Sequence, residues 1–462
     1  MTVTPAANPL DALAHHVATT AYEDLPAATV AAAKIFIFDT FACGIGGKSG
    51  FNADRVFEAA QDWGQSGDAH VWARKSPLPA PSAALANAYQ IHCLEYDCVH
   101  EGSVLHPMSS LFAAAMAEVE REGRKGRKIS GRELIAAVAV GVDVTCTIGL
   151  SSRAPMKFFR PAAIGGFGAT SAVSRLRKFD ETRTAAALGI MYGQTSGTMQ
   201  PHVEGSPLLA LQVGFAARSA LVAADLAATG IDGPKNIITG QFGFLPLFEG
   251  AYDIDTTWKS WGREWRLLEV GHKPWPCGRL AHFGIEALQK LMAEHKFGAK
   301  DVKQVLGRMP PLPMRLVGRP DIPSPNPNYA KLCLAYLGAV TLLRGTVVPE
   351  DFADAALVDP ITHALAAKFT FEDDGNSDPN TFGPQNFVVT LNSGARHELT
   401  ITHALGDPRN PLPRDKQLEK FWWSWNAGAK GIPRAKGERL IELIDRLEDV
   451  SDATALIDCA MP

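Results

Sequence analysis

The sequence lacks the features that mark several large classes of protein. Its 462 residues include only seven cysteines, at positions 43, 93, 98, 146, 277, 333 and 459, and no CxxC pair occurs. The opening stretch, MTVTPAANPLDALAHH, has no basic segment followed by an apolar run, and no segment reaches about 18 uninterrupted apolar residues. These absences predict a reduced cytoplasmic protein without a signal peptide or a membrane span.

An excess of charge of one sign is also missing. Lysine and arginine total 45, aspartate and glutamate total 49, and the net charge is -4. Such a balance argues against a broad surface for nucleic acid or for an anionic membrane. A small anionic substrate remains compatible with it, because a pocket needs only a few cations.

Common catalytic and nucleotide-binding motifs are absent as well. The sequence contains no P-loop and no G-x-S-x-G elbow. The glycines of AAIGGFGATSA (162–172) follow no strand and lack the acidic partner that a dinucleotide site requires. Close packing between helices explains these glycines better.

Periodicity predicts a mainly α protein with one mixed region. The first 230 or so residues show apolar side chains at three- and four-residue spacing, and the tail returns to this pattern. Between them the sequence predicts a strand in DVKQVLGRMP, an irregular proline-rich passage at 310–328, and a hairpin in QNFVVTLNSGARHELTITHA. We predict a large all-helical domain from residues 1–267 and 407–462, with a smaller α+β lid domain inserted at 268–406.

A first concentration of reactive side chains lies in CLEYDCVHEGSVLHP (93–107). Its cysteines and histidines fit no zinc pattern, and no second cluster completes a metal site. Histidine titrates near neutrality, so His106 is a candidate base, with Asp97 or Glu95 to orient it. The alternative is a helix-entry loop whose polar side chains cap backbone groups.

A second concentration is GHKPWPCGRLAH (271–282), at the predicted domain boundary. Prolines stiffen this loop, and Lys273 or Arg279 could bind a carboxylate there. Clefts between domains often hold ligands. The alternative is an interdomain hinge that carries surface charges.

With these two motifs the chain resembles the MmgE/PrpD family over nearly its whole length. ANAYQIHCLEYDCVHEGSVLHPMSS resembles the family's H-x-x-D-F-D-D … H-P-S segment, and HKPWPCGRLAH and GDPRNPLPRDKQLEKF also have counterparts. The resemblance implies a helical domain with an α+β lid, a homodimer, and no metal or other cofactor. It further implies an active site between the domains, where a proton is removed next to a carboxylate of a small di- or tricarboxylate.

Residue by residue, the resemblance is partial. His106, Asp97, Lys273, His282 and Tyr336 match family positions, whereas Glu95 is a conservative replacement. Arg160-Pro161 stands where the family commonly has His-Pro, and Leu209 and Gln212 stand where it has a lysine and a histidine. Gly278 replaces a histidine of the decarboxylases, and the nearby His202 and Glu204 could compensate for these losses.

The resulting prediction is a cofactor-independent lyase, a dehydratase or decarboxylase, acting on a small carboxylic acid. The predicted catalytic residues are His106 and Lys273, as an acid–base pair, and Asp97, which would orient His106. The predicted substrate-binding residues are Arg160, Glu95, His202, Gln212, Arg279, His282 and Tyr336. An isomerase or epimerase that uses the same base on a smaller acid is one alternative. A non-catalytic member of the fold that binds a metabolite is another.

Overall fold

The computed structural model describes residues 8–64 and 67–462 and is built mainly from α-helices. Twelve helices precede residue 260: α1 (Pro9–Thr19), α2 (Ala27–Gly46), α3 (Ala53–Asp62), α4 (Ala80–His92), α5 (Pro107–Arg124), α6 (Gly131–Leu150), α7 (Arg160–Ala163), α8 (Gly165–Leu176), α9 (Glu181–Tyr192), α10 (Gln200–Glu204), α11 (Leu208–Ala228) and α12 (Ile254–Trp258). Nine follow: α13 (His282–His295), α14 (Pro311–Leu316), α15 (Pro327–Ala330), α16 (Leu334–Arg344), α17 (Asp354–Leu357), α18 (Pro360–Ala366), α19 (Arg414–Gly428), α20 (Arg434–Asp445) and α21 (Thr454–Cys459). The mainly α fold class predicted from the sequence is confirmed.

Eight strands of the described residues form three small sheets. The strands are β1 (Ala69–His70), β2 (Pro77–Leu78), β3 (Val99–His100), β4 (Val270–Gly271), β5 (Val302–Met309), β6 (Phe369–Asp373), β7 (Gln385–Leu391) and β8 (Arg396–Ile401). β1 pairs with β2, β3 pairs with β4, and the largest sheet has the order β6-β5-β7-β8. In that sheet β5 and β6 are parallel, whereas β7 and β8 form the antiparallel hairpin expected from the sequence.

Local signals in the sequence set the ends and the packing of α6. The Ser130 hydroxyl accepts the Glu133 N–H at 3.2 Å, while the Glu133 carboxylate accepts the Ser130 N–H at 2.9 Å, which completes a capping box. Further along, a Cβ on Gly141 would lie 2.8 Å from the Gly168 carbonyl oxygen, and one on Gly168 would lie 2.6 Å from that of Gly141. Close contact between α6 and α8 therefore requires these glycines.

The buried apolar side chains form two hydrophobic clusters. The first joins α1–α6, α8, α9 and α11 with α19–α21 at the end of the chain. The second lies mostly between Trp275 and Ala404, with Val104 and Met156 added from the earlier part of the chain. The division into domains at 267/268 and 406/407 stays a prediction.

The proline-rich passage is more ordered than the sequence analysis predicted. Instead of an irregular run, it contains α14 and α15, each with proline in its first turn. Proline fits that position, because the first N–H groups of a helix have no intrahelical acceptor. The passage therefore forms two short helices joined by a loop.

Three helices are long and apolar enough to cross a membrane, judged by length and composition alone. They span Ala27–Ser49, Gly131–Leu150 and Leu208–Ala228, and 67%, 89% and 61% of their most apolar windows are buried inside the protein. Their apolar character therefore matches the interior that they occupy. The absence of a membrane partner stays a prediction.

Candidate active site

Two short strands bring the two reactive segments of the sequence together. β3 pairs antiparallel with β4, so that Val99 lies opposite Gly271. After β4, the N–H of His272 donates to the Gly406 carbonyl at 2.8 Å. Lys273 consequently lies beside Glu95, although 178 positions separate them in the chain.

The loop between α4 and α5 contains two non-glycine residues with left-handed backbone. Glu95 has a φ of 53° and Val104 a φ of 55°. Such conformations are costly and persist where surrounding contacts hold them. The loop ends at His106, which occupies the N-cap position of α5.

Asp97 is the centre of a buried polar cluster. Its carboxylate lies 3.0 Å from Nδ1 of His92, 3.3 Å from Nδ1 of His106 and 3.9 Å from the Lys273 ammonium. The Ser109 hydroxyl also donates to this carboxylate. Asp97 therefore joins two histidines of its own segment to a lysine from a distant part of the chain.

Glu95 and Asp97 are both ionised within this cluster. Burial disfavours ionisation of Glu95, but Lys273 and the histidines outweigh it and lower the pKa of Glu95 to about 2. Burial likewise opposes ionisation of Asp97, yet His92, His106 and Lys273 hold its pKa well below the usual range. The Lys273 ammonium lies 2.7 Å from the Glu95 carboxylate and has no exposed side-chain surface.

The two histidines of the cluster have opposite charge preferences. Burial disfavours protonation of His92, but Asp97 and Glu95 outweigh it and raise the pKa of that ring. For His106, burial and the Lys273 charge lower the pKa despite the opposing effect of Asp97. Near neutral pH, His92 is therefore the better cation and His106 the better base.

The contacts of His106 also decide which of its nitrogens is basic. Nδ1 of His106 lies 3.1 Å from the Cys98 carbonyl oxygen and 3.3 Å from the Asp97 carboxylate. Both neighbours are acceptors, so Nδ1 carries the proton of the neutral ring. Nε2 then holds the lone pair that can accept a proton from a substrate.

His106 lines a small, mostly apolar cavity of about 70 Å³. The other polar side chains that line this cavity are Glu95, His202 and Arg279. Its apolar lining residues are Val99, Val104, Met156, Phe159, Pro161, Met199, Leu209, Leu280, Leu316, Val317, Leu332 and Phe382. Asp97 and Lys273 lie behind this lining and contact His106 and Glu95, respectively.

Arg279 is the cationic side chain that lines the cavity, and most of its donors are already engaged. It donates to the Glu101 carboxylate at 2.7 Å and to the carbonyls of Leu405 and Ala404 at 2.6 and 3.0 Å. These contacts fix the guanidinium at the cavity wall. Its charge reaches the cavity, but it offers a substrate few free N–H groups.

Two predicted substrate-binding residues have polar atoms that other groups of the protein occupy, and their binding of substrate stays a prediction. Arg160 is buried and pairs with Glu249, with Nε and Nη2 at 3.0 and 2.9 Å from its carboxylate. Gln212 accepts the Thr198 N–H at 2.6 Å and donates to the Thr198 carbonyl at 3.2 Å. Neither residue lines the cavity.

Two further predicted substrate-binding residues lie outside the cavity lining. The Tyr336 hydroxyl donates to the Asp351 carbonyl at 2.6 Å, inside the second hydrophobic cluster. Nε2 of His282 lies 3.3 Å from the Cys277 carbonyl, and burial and Arg279 hold the pKa of His282 well below its usual range. Both residues contact the protein beside the site, and their role in substrate binding stays a prediction.

Two residues that organise the cluster were not predicted from the sequence. His92 is the first histidine of the segment that resembles H-x-x-D-F-D-D, so the motif itself carried the signal. Lys420 lies 2.6 Å from Asp39 and donates to the carbonyls of Tyr96 and Lys273 at 2.6 and 3.2 Å. A single lysine beside the aromatic residues of α19 gave no comparable signal.

One group within the described ranges has the composition of a metal site. Potential ligand atoms of His92, Asp97 and His106 lie within 4.8 Å of one another, and two histidines with a carboxylate suit several transition metals. However, the Lys273 ammonium lies 3.9 Å from Asp97, and the raised pKa of His92 favours its cationic form. Both charges oppose binding of a further cation there.

Comparison with known proteins agrees with this geometry. The family model described as MmgE/PrpD N-terminal domain matches residues 11–257, and the MmgE/PrpD C-terminal domain matches residues 275–449. The chain belongs to the MmgE/PrpD family. The site described above draws on both matched regions, since His106 lies in the first and Arg279 in the second.

Three curated relatives of this family member cover nearly its whole length. The cis-aconitate decarboxylase-like protein oryM of Aspergillus oryzae is 27% identical over 98% of both chains. Cis-aconitate decarboxylase of Aspergillus terreus is 24% identical over 97% of this chain and 95% of its own. Human cis-aconitate decarboxylase is 25% identical over 92% of this chain and 88% of its own.

Proposed function

We propose that this chain is a cofactor-independent lyase that removes a proton next to a carboxylate of a small carboxylic acid. The observation that carries the proposal is the state of His106. Its Nδ1 is engaged by two acceptors, its pKa is lowered, and its ring lines a buried cavity. These are the properties of a general base that works near neutral pH.

The reaction begins at Nε2 of His106. The substrate C–H bond breaks, the proton passes to Nε2, and the electron pair of that bond is delocalised into the neighbouring carboxylate. In a dehydration, the C–O bond on the adjacent carbon breaks, and the departing hydroxide takes the proton from His106 and leaves as water. In a decarboxylation, the protonated His106 first returns its proton to another carbon of the delocalised anion. The C–C bond to a carboxylate then breaks, carbon dioxide leaves, and the carbon that keeps the electron pair takes a proton from solvent. The names of the relatives support a lyase of the decarboxylase type.

Asp97, Glu95 and Lys273 have supporting roles in this proposal. Asp97 orients His106 through Nδ1, while Lys273 balances the charge of the two carboxylates. Lys273 does not line the cavity, so it acts through Glu95 and not as the proton donor paired with His106 in the sequence prediction. The charges of this cluster balance without a metal, which supports metal-independent chemistry.

The size of the cavity favours a second candidate, an isomerase or epimerase that acts on a smaller acid. A cavity of about 70 Å³ is less than half of the roughly 150 Å³ that accommodates benzene in a protein core. A tricarboxylate would require the walls to separate. An isomerase would use the same base and return the proton without loss of a leaving group.

Substitution of His106 tests the proposal directly. Turnover of small carboxylic acids, including cis-aconitate, would be followed by NMR in deuterium oxide for wild type, His106→Gln and His106→Ala. Loss of at least about 100-fold is expected, because acid–base residues contribute about 10²–10⁴-fold. A rate within threefold of wild type in His106→Ala would exclude this base.

The same spectra separate the alternatives. Deuterium incorporation together with water or carbon dioxide loss indicates the lyase, whereas incorporation or inversion without loss indicates the isomerase. Thermal stabilisation by a carboxylate without exchange or turnover indicates the non-catalytic binding protein. A cytoplasmic homodimer also belongs to the proposal, and light scattering of the purified chain would measure its mass.

A further inference from the structure

A partly buried arginine that the sequence analysis did not name lies directly behind His202. Nη2 of Arg319 lies 2.8 Å from Nδ1 of His202 and donates to the Leu316 carbonyl at 3.2 Å. His202 and Leu316 both line the cavity that contains His106. Arg319 therefore contacts the wall of the candidate active site from the outside.

This contact determines the tautomer of His202. An arginine guanidinium has only N–H donors, so Nδ1 of His202 must be the acceptor and carries no proton. Burial and the Arg319 charge lower the pKa of His202 to about 3, which keeps the ring neutral near pH 7. The single ring proton of His202 therefore resides on Nε2.

The guanidinium of Arg319 keeps an uncompensated charge beside the cavity. No ion pair of the described residues includes Arg319, and its Nε and Nη1 are buried without a hydrogen-bond partner. Its guanidinium lies 4.8 Å from the centre of the Tyr329 ring. A positive charge with so little compensation favours negative charge in its neighbourhood.

We propose that Arg319 is a positioning residue that fixes His202 as an Nε2–H donor, and that this donor binds the substrate oxygen on which negative charge develops. This inference rests on the proposed function and assigns a residue for its oxyanion. The ligand group is a carboxylate or carbonyl oxygen of the substrate. Arg315 also lowers the pKa of His202, but among the described contacts the guanidinium that lies at Nδ1 of that ring is that of Arg319.

The two cavity histidines then divide the reaction between them. Nε2 of His106 accepts the proton, while Nε2–H of His202 donates a hydrogen bond to the oxygen that receives the electron pair. His202 transfers no proton, so its protonation state is the same before and after the step. Donors aimed at a developing oxyanion in a desolvated site commonly contribute about 10²–10³-fold to kcat.

The tautomer can be measured on the resting protein without any substrate. Long-range ¹H–¹⁵N spectra of histidine-labelled protein report each ring nitrogen as protonated or bare, and the His202→Gln variant assigns the His202 signals. We expect a bare Nδ1, a protonated Nε2 and no titration between pH 5 and 8. A protonated Nδ1, or a titration in that range, overturns the inference even if His106 proves to be the base.

Variants of Arg319 complete the test, with Arg315 four residues earlier as the matched control. In Arg319→Gln we expect His202 to populate both tautomers and kcat to fall at least tenfold, whereas Arg315→Gln stays within twofold of wild type. His202→Gln, which retains an N–H donor, should keep more activity than His202→Met. If Arg319→Gln folds and the His202 tautomer is unchanged, the inference is overturned. If that variant does not fold, the tautomer seen in the wild-type spectrum decides the inference.

Discussion

The Lys273 ammonium lies 2.7 Å from the Glu95 carboxylate, and Glu95 lies between it and the cavity. This relationship changes the role expected for the lysine. A lysine that lined the cavity could deliver a proton to a substrate. In the observed position it compensates the charge of two buried carboxylates and maintains the geometry of His106.

Removal of Lys273 should therefore affect stability as well as activity. Lys273→Met leaves Glu95 and Asp97 without their shared cation, and breaking a buried pair costs about 3–5 kcal/mol. Urea unfolding of wild type, Lys273→Met and Lys273→Met/Glu95→Gln would measure the loss and its partial recovery in the double variant. Arg434→Ala, which breaks an exposed pair with Glu438, serves as control and should cost less than about 1 kcal/mol. A Lys273→Met cost as small as the control would contradict this role.

The pH dependence of turnover should report His106. The base works only when neutral, so kcat/KM falls as the pH drops through the His106 pKa. Since burial and Lys273 lower this pKa, the acid limb should lie below about 6.5, the ordinary value for histidine. Asp97 opposes that lowering, so Asp97→Asn should move the acid limb to still lower pH and reduce the plateau at least about tenfold. An acid limb above pH 7 in the wild type would rule out His106 in this environment.

The sequence was sufficient to predict the class of fold and the residues at the centre of the site. Helical periodicity, the Ser130 capping box and the β7–β8 hairpin are local patterns, and local patterns are readable from one chain. The motif around 93–107 likewise gave His106, Asp97 and Glu95 because they lie within a dozen positions of one another.

Local patterns could not predict the roles of residues whose partners are distant in the chain. Arg160 was predicted to bind substrate, but its role is decided by Glu249, 89 positions away. Arg319 gave no signal, because its contact with His202 spans 117 positions and joins the loop after α14 to α10. Pairwise geometry of this kind depends on the tertiary structure and leaves no periodicity in the sequence.

The Arg160–Glu249 pair should prove structural. Arg160→Met leaves a buried Glu249 carboxylate uncompensated, so we expect a stability loss of about 3–5 kcal/mol and a KM within twofold of wild type at a temperature where the variant is folded. Arg308→Gln, which removes one partner of the exposed pair with Glu372, is the control for charge removal. A large rise in KM with stability retained would restore Arg160 to the substrate site.

Buried neutral histidines should also lower the stability of the fold in acid, at pH values well above those at which its carboxylates become protonated. Burial lowers the pKa of His272 to about 4, while the unfolded chain keeps a value near 6.5. Below pH 6.5 the unfolded state binds more protons, so stability is complete above that pH and declines as the pH falls toward 4.

His272→Asn removes this difference and should reduce the stability lost between pH 7 and pH 5 by about 2 kcal/mol. Urea unfolding of both proteins at the two pH values measures it. His15, an exposed histidine, provides the control His15→Asn, which should leave the loss unchanged. Equal losses in wild type and His272→Asn would show that His272 does not resist protonation in the folded protein.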